Sequence, residues 1–144
     1  MEDNGKDMSL LRKIAYLFGV VLLLSGIMGF IPFLTTGDDD GVRRLLGIFE
    51  VDTVHNLVHI ATGIVAMLSA KSDRLARIFF ITFGLVYTLI TLIGFAGDPD
   101  AKVLGFLHVN QADNFLHLGI AAVSLAAGLL LPDRKGKKLA DPSD

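Results

Sequence analysis

The chain has 144 residues, of which 52% are hydrophobic and 19% charged, with a mean hydropathy of +0.58 and a formal net charge of −2. A soluble domain of this length carries about a quarter charged residues, so composition argues against one, and nothing in the charge balance suggests a nucleic-acid partner. The absence of cysteine excludes disulfides, thiolate metal sites and cysteine nucleophiles.

A polar N-terminal tail over 1–11 precedes the first charge-free block, Ile14 to Gly37. Its "YLFGVVLLLSGIMGF" has no polar stripe at helical spacing, which a soluble bundle requires. The block exceeds the roughly 7–15 apolar residues of a signal-peptide core and has no A-x-A site after it, so it reads as a helix of the mature protein. An outer loop over 31–52 follows, with the acidic "GDDDG" at 37–41 and the stretch "VRRLLGIFEV", whose apolar residues and flanking charges suit the membrane interface. The second block runs from Thr53 to Ala70, the third from Ile78 to Gly97, and the fourth from Asn114 to Pro132. A second acidic outer loop, over 96–110, carries "GDPD", and a basic tail over 132–144 carries "DRKGKK". A spanning helix needs about 20 mostly apolar residues. All four blocks fit, the second and fourth only just. The expected fold is an all-α membrane protein of four transmembrane helices over 12–131.

Four spans place both termini on one side. That side holds Lys6, Arg12, Lys13, Lys71, Arg74, Arg77, Arg134, Lys135, Lys137 and Lys138, against Arg43, Arg44 and Lys102 on the other, ten basic residues to three. Positive charge accumulates on the cytoplasmic side, so a multi-pass protein of the plasma (inner) membrane with both termini cytoplasmic is expected. The lipid bilayer is then the first partner, and a homo-oligomer or another membrane protein the next.

The chain repeats itself. "RKIAYLFGVVLLLSGIMGF" (12–30) laid over "RIFFITFGLVYTLITLIGF" (77–95) gives seven identities in 19, Arg12/Arg77, Gly29/Gly94 and Phe30/Phe95 among them. "LGIFEVDTVHNLVH" (46–59) over "LGFLHVNQADNFLH" (104–117) adds Val51/Val109, Asn56/Asn114 and His59/His117. A two-helix repeat returns the chain to its starting side, so the copies, about 12–70 and 77–131, are expected as two tandem helical hairpins related by a pseudo-two-fold axis along the membrane normal. Asp52 and Asn110 stand where N-caps of the returning helices belong.

Each returning helix opens on a polar ridge. His55, Asn56 and His59 share one helix face, as do Asp113, Asn114 and His117, and such a ridge is expected to point into the bundle. Glu50 and His108 occupy equivalent positions just outside it. Three chemistries fit these residues. In a structural clasp, Asn56 and Asn114 hydrogen-bond to histidines across the axis, and Asp113 fixes an imidazole tautomer. In a metal site, His55, His59, His117 and Asp113 hold a divalent, zinc-like transition ion with the asparagines as orienters. In a redox site, His59 and His117 alone ligate a haem or contact a quinone. A proton or small-solute path uses the same residue types. Ser25, Ser69 and Ser124 lie too far down their helices to meet the histidines, so hydrolase chemistry has no support and an enzymatic role is not favoured. The threonines of the third block are expected to bond to their own helix backbone.

The charge-poor four-helix plan, the Gly-Phe helix ends and the paired "HNLVH" and "DNFLH" resemble a family of small bacterial integral membrane proteins known only as a domain of unknown function. The likeness covers roughly residues 10–131, and its most specific element is Asn-x-x-His at the head of helices 2 and 4. It implies four spans and a bacterial membrane, and no activity, cofactor or partner. The two copies differ at His55/Asp113 and Glu50/His108, so a symmetric ligand set does not follow from the likeness.

Overall fold

A computed structural model describes residues 8–37, 42–97, 103, 105 and 107–132. Most of the acidic loop segments, the KVLGFLHV stretch in part, and nearly all of both tails lie outside the described residues. The described part contains four α-helices: α1 (Leu10–Met28), α2 (Thr53–Ser69), α3 (Asp73–Ala96) and α4 (Gln111–Leu130). Each starts on a side-chain cap that accepts a first-turn N–H: Ser9, Asp52, Ser72 and Asn110 respectively. Such caps satisfy donors that the helix itself leaves orphaned. Three helices, α1, α3 and α4, are long and apolar enough to cross a membrane, and α2 is a shorter apolar helix of 17 residues.

α1 packs chiefly on α2, and α3 on α4. The contacts run in opposite order along the partners. In the first pair, the Arg12 Nε–H donates to the Ala70 carbonyl at 2.7 Å at one end, Gly19 meets Gly63 midway, and Gly29 meets Asn56 at the other end. In the second, Arg77 donates to the carbonyls of Gly128 and Leu131, Gly84 meets Leu125, and Gly94 meets Asn114. The two arginines thus occupy carbonyls that the ends of α2 and α4 would otherwise leave without a partner.

The pairs differ in how their helices touch. A Cβ at Gly19 would stand 2.6 Å from the Gly63 carbonyl oxygen, and one at Gly63 would stand 2.7 Å from the Gly19 oxygen. There, main chain lies on main chain. At Gly84 the nearest atom to such a Cβ is the Leu125 side chain, at 2.7 Å.

Burial follows the same plan of small residues inside and large ones outside. Ala15, Ala66, Ala76, Ala121 and Ala127 are buried, while Leu17, Val21, Leu57, Leu68, Leu85, Leu92 and Leu129 point outward. This suits a lipid surround, where close approach of helices rather than exclusion of water drives packing. Large residues are also buried, Leu11 and Leu22 on α1 and Tyr87 and Ile90 on α3, beside an aromatic cluster of Phe18, Phe79, Phe80 and Phe83 with ring centroids 5.2–6.3 Å apart.

The loop between α1 and α2 departs from the all-α expectation. It forms a small antiparallel sheet of β1 (Thr35–Thr36), β2 (Arg43–Leu45) and β3 (Phe49–Val51), in that order. Two consecutive left-handed residues, Leu46 (φ 53°) and Gly47 (φ 74°), turn β2 into β3, the twist that tight β-hairpins favour. The sheet brings Glu50 and Val51 directly to the head of α2.

Candidate functional site

The polar residues singled out in the sequence gather where α2 and α4 begin. At the head of α2, the Asp52 carboxylate accepts the His55 N–H at 2.8 Å. At the head of α4, the Asn110 side-chain Oδ1 accepts the Asp113 N–H at 3.0 Å, and the Asp113 carboxylate accepts the Asn110 N–H at 2.9 Å, a reciprocal capping box.

Both carboxylates also reach the other half of the chain. Asp113 Oδ2 accepts the Glu50 N–H of β3 at 2.9 Å. Asp52 Oδ2 lies 2.8 Å from His108 Nδ1 and accepts the His108 N–H at 3.3 Å. The Asn110 amide donates to the Ile48 carbonyl at 2.7 Å. Burial alone would raise the Asp52 carboxyl. The His55 N–H and the ring, N–H and charge of His108 outweigh it and hold that carboxyl below the ordinary carboxylate range.

Asn56 and Asn114 are buried and similarly placed, each with its amide where a Cβ would stand on Gly29 or Gly94. Neither hydrogen-bonds to a histidine among the described residues, and the Oδ1 of each has no hydrogen-bond partner. The expected bonds from asparagine to histidine are therefore not how this end is held. Asp113, for its part, spends its carboxylate on main-chain N–H groups.

His55, His59 and His117 do come together. One ring nitrogen from each lies within 4.8 Å of those of the other two. The His55 ring packs on His59 at 4.7 Å between centroids and on His117 at 6.0 Å. His55 and His117 are each only 4% exposed. His55 Nδ1, His59 Nε2 and His117 Nδ1 are buried without a hydrogen-bond partner. Asp113, the fourth residue of the expected metal set, is not part of this group.

Two neighbours went unassigned in the sequence. Tyr87 of α3 sets its ring edge-on to His117 at 5.1 Å, and His108 partners Asp52. A tyrosine one helix away leaves no spacing signal, whereas the Glu50/His108 equivalence did mark the second position. Of the α3 threonines, Thr88 bonds to the Gly84 carbonyl at 2.8 Å as expected, while the buried Thr91 hydroxyl has no hydrogen-bond partner.

Against known families, residues 12–130 match the family described as Domain of unknown function (DUF4383). No curated protein and no solved structure matches the chain.

Proposed function

The chain belongs to the DUF4383 family, which brings no activity with it, and we propose on that footing that it is a four-span plasma-membrane protein whose outer end clasps two helical hairpins in register. The hairpins are tandem copies related by a pseudo-two-fold axis along the membrane normal, with both termini cytoplasmic. α2, at 17 residues, stands at the lower limit of the roughly 17–25 that span a bilayer. Three pairs of equivalent positions support the symmetry: Arg12 and Arg77 on the ends of α2 and α4, Gly29 and Gly94 under Asn56 and Asn114, and Asp52 and Asn110 as caps. The ten-to-three distribution of basic residues supports the orientation.

The clasp rests on one observation: the carboxylates at the two returning helix heads each accept a main-chain N–H from the opposite half, Glu50 to Asp113 and His108 to Asp52. A main-chain donor that already points at a carboxylate loses a charge-assisted bond if the segment shifts, so these bonds fix the register of the outer segments against the helices. Replacing Asp113 with alanine orphans the N–H groups of Glu50 and Asn110, at a cost of about 1–3 kcal/mol. The thermal midpoint of the detergent-purified protein is expected to fall accordingly, and an unchanged midpoint would refute the clasp. Placement is tested separately by a reporter fused after Asp144, which is expected to read as cytoplasmic; an external signal overturns the orientation.

A further inference from the structure

The clasp uses Asp52, Asn110 and Asp113 and leaves the three central histidines without a role. We propose that His55, His59 and His117 form a binding site for a single divalent transition-metal ion of the zinc class, an inference that goes beyond the clasp and does not depend on it. A buried polar atom without a partner is costly and is rare in a native fold. Here each of three imidazoles carries one such nitrogen, and the three rings, drawn from two helices, each offer a nitrogen to a set within 4.8 Å. A lone unpartnered histidine is an ordinary packing compromise. Three within 4.8 Å point to one acceptor for three lone pairs.

The donor set selects the ion. Neutral imidazoles suit zinc, cobalt, nickel and copper, whereas calcium and magnesium require oxygen ligands. Three histidines with the fourth position left to water or a small ligand is an established open zinc geometry. Two of the ligands, His55 and His59, stand four residues apart on one face of α2, an arrangement that lets both rings reach the same point. A tetrahedral ion with Zn–N bonds of about 2.0–2.1 Å separates its ligand nitrogens by about 3.3 Å. The rings therefore close on the ion by rotation about their side-chain bonds and a small approach of α4 to α2. A haem between His59 and His117 fits less well, because a macrocycle needs a slot and His55 packs against both rings.

Cobalt(II) is the probe, since tetrahedral coordination gives it intense visible bands. Zinc(II) then competes it off. The full chain, purified in detergent and stripped with chelator, is expected to bind one cobalt ion per chain, and zinc is expected to displace it. His55→Ala, His59→Ala and His117→Ala are each expected to weaken binding by about a hundredfold or more, past the 10- to 100-fold typical of losing an outer-shell partner. Tyr16→Ala, on the exposed face of α1, is expected to leave it unchanged. Wild-type protein that binds neither ion at millimolar concentration overturns the proposal without recourse to any variant. So does binding that survives all three substitutions or is abolished by Tyr16→Ala. Where an alanine variant fails to fold, the corresponding glutamine variant keeps a polar side chain of similar reach, and unimpaired cobalt binding there counts equally against the site.

Discussion

Gly29→Ala tests whether the asparagines are held by shape. Gly29 caps α1 with φ −62° and ψ −18°, a conformation alanine adopts without strain, so the substitution acts only through the added methyl. That methyl would overlap the Asn56 amide, with Nδ2 at 2.6 Å and Oδ1 and Cγ nearer still. Asn56 is 3% exposed and has nowhere to retreat. Either its side chain leaves a favoured rotamer or α1 moves off α2. Overpacking of this kind costs about 1–3 kcal/mol, and a loss of about 2 kcal/mol corresponds to a fall of about 4–8 °C in Tm for a chain of this size. Two further variants complete the argument. Gly119→Ala on α4, whose Cβ meets nothing within 4 Å, is expected to hold or raise Tm, since alanine is the better helix former by about 1 kcal/mol. Combining Gly29→Ala with Asn56→Ala makes room for the methyl, so the double variant is expected to be more stable than the sum of the two single losses implies. The assay is thermal unfolding of the purified protein followed by circular dichroism. Gly29→Ala behaving like Gly119→Ala, or strict additivity in the double variant, would refute the reasoning.

Two other substitutions probe the loops. Asp52→Asn keeps a good N-cap and removes only the charge. A carboxyl held below its ordinary pKa stabilises the fold fully above the unfolded value and loses that contribution as pH falls through the folded one. Wild type is thus expected to exceed Asp52→Asn in Tm near neutral pH and to converge with it below the carboxylate range; a gap that persists in acid contradicts the assignment. Leu46 is 58% exposed and left-handed at φ 53°, a region costing most side chains about 1–2 kcal/mol but open to asparagine. Leu46→Asn is expected to raise Tm by about 2–4 °C, and a fall would show that the Leu46 side chain has a packing role.

The helices were legible because charge-free blocks and Ser, Asp and Asn caps are properties of contiguous sequence. Spacing alone put His55 and His59 on one face, whereas the approach of His117 to them had to be assumed from the likeness of the two segments, because no spacing within one helix says which other helix it faces. What the sequence hid were contacts made by main-chain atoms. Asp113 turns toward the N–H groups of Glu50 and Asn110, and a backbone donor leaves no letter behind. The same holds for the sheet over 35–51, whose two- and three-residue strands fall below any alternation that can be counted. Gly29, Gly94, Asn56 and Asn114 all stood out as repeated residues, yet nothing in their spacing says that glycine and asparagine touch.

The unequal seams within the two helix pairs have a mechanical consequence. Where α1 meets α2 at Gly19 and Gly63, each glycine's Cβ would stand within 2.7 Å of the other's carbonyl oxygen, and side chains enter that seam only beside it, Met67 against Gly19 and Ile60 against Gly26. Two carbonyl oxygens set against glycine α-carbons cannot change rotamer, so that seam is expected to be the stiffer of the two. Where α3 meets α4, the gap is kept by the Leu125 and Ile81 side chains against Gly84 and Gly128, and such spacers can change rotamer and let the seam slide. Two of the histidines ride on the stiffer pair and the third on α4. Slack at the α3–α4 seam is therefore expected to bear on α4, the member whose displacement opens or closes the triangle of imidazoles.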